Sequence, residues 1–161
     1  MNAIKMLKRQ HREVEALFKQ LEKARSARPR QKAFYEIADK LAVHAAIEEQ
    51  HFYPSVNRRT TEELLLESVE EHLGIKRVLT DLLAVDVDDE TFDAKVKVLK
   101  EQIEHHVEEE ENDLFPKVRQ LLDAATSIAI AQQMTATQEE LIAEGTPREA
   151  VPSETKHAAE L

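Results

Sequence analysis

The chain has 161 residues, no cysteine, 2 glycines, 5 prolines and a formal net charge of −10, and these counts exclude a good deal. Without cysteine there can be no disulfide, zinc–thiolate site, iron–sulfur cluster or thiol nucleophile, so any bound metal must be held by His and carboxylate. The acidic balance argues against nucleic acid as a partner, because phosphate binding needs a basic face. Abundant Ala, Glu, Lys, Gln and Leu point to an all-α chain with almost no sheet.

The length suits one domain. Residues 1–9 are amphipathic and too short in apolar length for a signal peptide, and no run approaches a membrane span. A soluble, cytoplasmic protein is the expectation.

Ile4, Leu7, His11, Val14, Phe18 and Leu21 recur at alternating spacings of three and four, the stripe that one helix face buries. This first helix is expected to end near residue 26, ahead of Pro29. A second stripe, Phe34, Ile37, Leu41, His44, Glu48 and Phe52, places a histidine and an acid at core positions. Residues 57–60 make the next turn, with Thr60 or Thr61 able to cap a third helix whose first turn carries Glu62 and Glu63. Its stripe is Leu65, Val69, His72, Ile75, Leu79 and Leu82. Residues 84–89 form a loop, and a fourth helix starts near Glu90 with Phe92, Val96, Leu99, Ile103, His106, Glu110, Leu114 and Val118 inward. The expected four-helix bundle covers residues 1–122. Residues 123–161 read as a C-terminal extension: a short helix near 127–134, then a mostly disordered acidic tail broken by Gly145, Pro147 and Pro152.

Four helices with short connections predict an up-down-up-down bundle. His11 and His44 lie equidistant from the first turn, His44 and His72 from the second, and His72 and His106 from the third. The four histidines are therefore level, one per helix. His44-x3-Glu48 and His106-x3-Glu110 repeat one another, and four residues is about one helical turn, so each pair converges on one point. The pattern His11 to Glu48 recurs as His72 to Glu110, offset by 61 or 62 positions, which predicts two similar hairpins about a pseudo-twofold axis.

Buried carboxylates are costly unless paired. Mutual hydrogen bonding among the six residues would be one solution. Two divalent metals are the better one, each taking one His pair while Glu48 and Glu110 bridge them and leave room for an oxo, hydroxo or exogenous ligand. Imidazole and carboxylate without thiolate suit iron, with manganese or zinc allowed by ligand type.

Ferritin-like sites use Glu-x2-His on two helices and a lone Glu on each of the others, which is not the order here. The set His11, His44-x3-Glu48, His72, His106-x3-Glu110, with the Phe52-Tyr53-Pro54 and Leu114-Phe115-Pro116 ends, resembles the hemerythrin-like family over residues 1 to about 122. The resemblance implies a hemerythrin-like bundle holding two iron ions, oxo- or hydroxo-bridged. Oxygen carriers of the family have His-x3-His on the third helix and a later Asp on the fourth; here Lys76 and Glu110 stand instead. The chain is thus more similar to bacterial hemerythrin-like proteins with a symmetric ligand set. For these the implied range is handling of hydrogen peroxide, nitric oxide, dioxygen or iron in a stress-protective role, peroxidase- or catalase-like if enzymatic. The alternative is a non-enzymatic module that binds or senses oxygen or iron. Neither reading calls for a nucleic acid or membrane partner.

Among other residues, His51 and Asp113 follow the two glutamates by three and are expected at the rim, as is Tyr53, with its hydroxyl in water although a phenol can ligate iron. His105 belongs to a helix flank, and Glu49, Glu108, Glu109 and Glu111 to a solvated face. His157 lies in the tail.

Overall fold

The computed structural model describes all 161 residues and is helical throughout. Helix α1 (Ala3–Lys23) begins where Asn2 accepts a hydrogen bond from the Lys5 amide at 2.9 Å, satisfying one of the donors that a helix start leaves open. It stops at Lys23, earlier than Pro29 suggests. Pro29 instead falls in the first turn of α2 (Ala27–Ile47), where a missing N–H costs nothing.

α2 does not end at Ile47. It widens into a π turn at Glu48–Phe52 and closes with a short α segment at Tyr53–Ser55. After a tight turn, α3 (Glu62–Leu83) carries Glu62 and Glu63 in its first turn. Thr61 occupies the cap position without capping; its hydroxyl donates to the Val56 carbonyl at 2.6 Å and accepts from the Arg58 amide at 3.0 Å, tying the turn together. α4 (Phe92–Glu109) likewise passes through a π turn, Glu110–Leu114, into a further α segment, Phe115–Leu121.

The two π turns share a cause. Pro54 and Pro116 each lack an N–H, and each ring would clash with the carbonyl four residues back in a regular helix. The widened turn avoids that clash, and the Tyr53 and Phe115 amides donate to the carbonyls of Glu48 and Glu110 five residues earlier. Such turns inside α-helices are frequent at functional sites.

The expected short helix and mostly disordered tail are not what the C-terminal residues form. α5 (Ala124–Ala143) is a full helix, capped by Asp123 accepting from the Thr126 amide at 2.7 Å. It packs on α1, α2 and the first π turn, burying Ser127, Ile130, Ala131 and Met134. Gly145, at φ +133°, reverses the chain, a conformation open to glycine alone. A 3₁₀ strap, Pro147–Glu154, then lies across α2 and α3. Val151 is buried there, Arg148 binds Asp39 through its amide and guanidinium, both at 2.9 Å, and the guanidinium stacks on Tyr35. The sequence conceals this order because the contacts are few, long-range and spread among polar residues.

The apolar residues form two clusters, one around Met6, Leu7, Phe52, Tyr53 and Phe115, the other around Phe18, Phe34, Leu79, Phe92 and Leu99. Between them lies a polar layer. No helix is long and apolar enough to cross a membrane.

Candidate metal centre

The polar layer consists of the six residues singled out by the sequence. His11, His44, His72 and His106 come one from each of α1 to α4, while Glu48 and Glu110 open the two π turns; all are buried, with Glu48 and Glu110 at 0% and 1% exposure. Donor atoms of His11, His44, Glu48 and Glu110 lie within 4.8 Å of one another, as do those of Glu48, His72 and His106. The rings pair as expected, His11 with His44 at 4.9 Å between centroids and His72 with His106 at 4.7 Å.

Each imidazole is locked from behind. His11 Nδ1 donates to Glu111 at 2.8 Å, His44 Nδ1 to the Gln10 carbonyl oxygen at 2.6 Å, His72 Nδ1 to Glu49 at 3.0 Å, and His106 Nδ1 to Glu71 at 2.8 Å. Carboxylate and amide oxygens only accept, so every Nδ1 carries the proton. Gln10 is oriented for this by donating its own NH₂ to Gln138 of α5 at 2.7 Å. Ligand histidines almost always make such a bond, since it fixes the tautomer and raises ring basicity.

The consequence is that each Nε2 turns inward. His11 and His106 Nε2 lie 3.3 Å from Glu110, His44 Nε2 3.2 Å and His72 Nε2 3.1 Å from Glu48, and the Nε2 atoms of His72 and His106 are 3.1 Å apart. In neutral rings these would be lone pairs facing lone pairs. The arrangement is stable only with a cation among them, a proton or a metal. His11 Nε2, His44 Nε2, Glu48 Oε1 and Glu110 Oε1 are fully buried without a hydrogen-bond partner, and orphaned donors of this type converging in one layer fit divalent ions.

Without a metal, protons take up the role. Burial pulls His106 down, but the charge and hydrogen bonds of Glu110 and Glu71 override it and hold it well above the usual imidazole range. His11 and His72 are raised despite burial, by Glu110 for the first and by Glu48 and Glu49 for the second. Burial pushes Glu110 and Glu48 up, as does the neighbouring Glu110 charge for Glu48; the imidazoles outweigh this and leave both lowered, Glu110 strongly.

Several residues stand elsewhere than the sequence suggests. Tyr53 is not at the rim with its hydroxyl in water: it is fully buried, its Oη 3.1 Å from Glu48, 3.0 Å from Glu110 and 3.2 Å from His72. Burial, then the charges of Glu110 and Glu48, raise its pKa well above the ordinary phenol value. The π turn is responsible, since it takes one residue more to come round and so keeps the fifth residue after Glu48 on the ligand face. Phe115, its counterpart, lies parallel to His11 at 6.1 Å. Glu49 and Glu111 are not a solvated face but the Nδ1 acceptors just described, and Gln10 and Glu71 were not singled out at all. Their signal was positional: Gln10 and Glu71 precede the lone histidines, and Glu49 and Glu111 follow the two buried glutamates.

The remaining expectations fare differently. His51 donates to or accepts from Thr137 of α5 at 2.7 Å, away from the centre, and Asp113 is exposed. His105 is an exposed flank residue beside Glu71 and Glu109, and Glu108 is exposed. Lys76 directs its ammonium at Glu49, 2.8 and 3.0 Å, and at Glu154 of the strap, 3.1 Å, rather than at the donor set.

Comparison with known proteins agrees with this geometry. A DNA nickase of Nostoc sp. is 29% identical over 124 residues, 77% of this chain but 35% of the nickase, so the chain spans about a third of that relative's length. A hemerythrin HHE cation binding domain-containing protein from Mycobacterium kansasii, solved by crystallography, superposes with a TM-score of 0.78 over 94% of this chain and 97% of that one at 22% identity, a likeness of fold. The family description "Hemerythrin HHE cation binding domain" matches residues 2–118, the span that supplies all six buried donors, and the chain belongs to that family.

Proposed function

We propose that the chain is a non-haem di-iron protein whose centre binds and reacts with a small oxidant, hydrogen peroxide, nitric oxide or dioxygen, in a stress-protective role. The observation that carries this reading is the set of four Nδ1-locked imidazoles turning their Nε2 atoms toward two buried carboxylates, with His11 Nε2, His44 Nε2, Glu48 Oε1 and Glu110 Oε1 left without a hydrogen-bond partner. His11 and His44 would hold one ion, His72 and His106 the other, and Glu48 and Glu110 would bridge them. All-nitrogen-and-oxygen ligation suits iron.

Bound iron would supply one-electron redox chemistry toward the oxidant. The chain's own residues prepare the place. Glu49, Glu71, Glu111 and Gln10 hold the rings in one tautomer, which removes the need to reorient them when charge changes at the centre. Tyr53 places a phenol proton between the two carboxylates, where it can be donated to an oxygen or given up so that Oη becomes a further donor. Lys76, neutralised by Glu49 and Glu154, keeps the third-helix position free of the additional histidine found in oxygen carriers.

The test is turnover. Iron-loaded protein is expected to decompose hydrogen peroxide or nitric oxide over many cycles. No turnover, together with a stable and reversible oxygen adduct, would show a binding or sensing module instead. The nickase activity of the Nostoc relative is not carried over: the chain spans about a third of that protein, and a net charge of −10 opposes phosphate binding.

A further inference from the structure

Above the histidine layer the two hairpins do not close on each other. A cavity of about 390 Å³ lies between them, with the rings of His11, His44, His72 and His106 along one end. Most of its inner surface is apolar, from buried Val14, Phe18, Leu41, Ile75, Leu79 and Ile103, with polar side chains such as Gln10, Lys76 and Asn112 set among them. On the α2–α3 side the strap shuts it, with Val151 and Glu154 contributing to the wall. On the α1–α4 side exposed Arg12, Glu15, Glu104 and Glu108 line it, so it opens to solvent there. Glu48, Glu110 and Tyr53 are not among its walls and face the opposite apolar cluster.

The size is out of proportion to a diatomic or a peroxide. A water takes up about 30 Å³ of liquid and an apolar cavity of about 150 Å³ already holds benzene. The volume is within the range of small-molecule sites. The charges are also informative. Arg12 is bonded to Glu111 and Glu15, Lys100 to Glu22, and Lys76 to Glu49 and Glu154, so every cation along the cavity already has a partner. The mouth keeps an excess of carboxylate, which repels anions.

We propose that this cavity is a binding site for a neutral, mainly apolar organic molecule larger than benzene, which enters between α1 and α4 and lies with one end against the ligand histidines. A molecule so placed sits where the oxidant of the proposed reaction would meet it, although binding itself does not depend on that reaction.

The probe is N-phenyl-1-naphthylamine, neutral and fluorescent in apolar surroundings, titrated into metal-loaded protein of measured metal content. Saturable binding at one probe per chain is expected, with a change in the optical band of the metal centre, and with the anionic 8-anilino-1-naphthalenesulfonate binding weaker by about tenfold or more. V14W and I103W, which fill the cavity from different walls, should each weaken the neutral probe by about tenfold or more while metal content and far-ultraviolet circular dichroism stay as in the parent. The proposal is overturned by the absence of saturable binding, by equal affinity for the two probes, by binding that leaves the optical band untouched, or by unchanged affinity in a variant that retains its metal. Because the metal-to-protein ratio is measured in the same samples, loss of the site and loss of the metal centre are read separately.

Discussion

At the scale of single residues, the centre is a matter of where four imidazole Nε2 lone pairs point. Nothing in an isolated His specifies that; the four Nδ1 acceptors do. His44→Ala should remove at least one ion per chain and leave buried Glu48 with only His72 and Tyr53 as partners, a loss of about 1–3 kcal/mol; metal analysis and thermal melting check both, and full metal content in this variant would disprove the ligand assignment. Tyr53→Phe should keep the fold and both ions but lose any absorption band due to phenolate ligation, and an unchanged spectrum would confine Oη to hydrogen bonding. The protonation pattern gives a third expectation. His106, His11 and His72 have raised pKa values in the folded metal-free chain, so their stabilisation is complete below about pH 6.5 and is lost as pH rises through the raised values. Glu48 and Glu110 are lowered, so theirs is present above the usual carboxylate range and is lost as pH falls through the lowered values. Metal-free protein should therefore melt highest in mildly acidic solution and lower towards pH 9, whereas metal, which binds the neutral rings, should gain affinity over the same rise. A metal-free Tm that does not move between pH 6 and pH 9 would contradict this.

At the scale of elements, helix periodicity picked out the six residues that the structure buries in one layer, because His11, His44, His72 and His106 keep an α-helical stripe that the structure preserves. It misplaced Tyr53 for a definite reason. The five residues Glu48–Phe52 form a π turn imposed by Pro54, and an α-helical count carries the phenol to the wrong face. The C-terminal elements were obscured differently: α5 buries only small or scattered residues, and the strap is held by Arg148 on Asp39 and Tyr35, by Glu154 on Lys76 and by buried Val151, contacts that no local pattern announces. Pro54→Ala should allow the α-helix to continue, turn Tyr53 away from Glu48 and weaken metal binding, without removing any ligand; metal affinity measured by competition with a chelator decides it. Val151→Asp places a charge in an apolar wall and should cost about 2 kcal/mol, a fall of roughly 4–8 °C in Tm. Since the strap carries none of the six donors, metal content should change little.

At the scale of the whole molecule, the chain is a duplicated hairpin whose halves have diverged at a few positions. His11, Gln10 and Glu111 in one half of the centre correspond to His72, Glu71 and Glu49 in the other, so the pseudo-twofold axis relates the buried histidines and their Nδ1 acceptors alike. It is broken where Gln10 meets Glu71 and where Phe115 meets Tyr53, which makes the His72–His106 side richer in carboxylate and phenol. The duplication was plain in the sequence; its breaking needed the structure, since only there do Gln10 and Glu71 touch the rings. Two unmetallated hairpins leave this layer held by shared protons, so metal should stabilise the fold as any ligand specific to the native state does, by about 2.7 kcal/mol at a hundredfold excess over Kd. The most direct test of the central claim is the metal-to-protein ratio of chain purified from iron-rich growth, taken with Tm before and after removal of the metal. Two iron ions per chain and a lower Tm on removal are predicted; protein that carries no stoichiometric metal and melts at the same temperature with or without added Fe(II) would contradict the account.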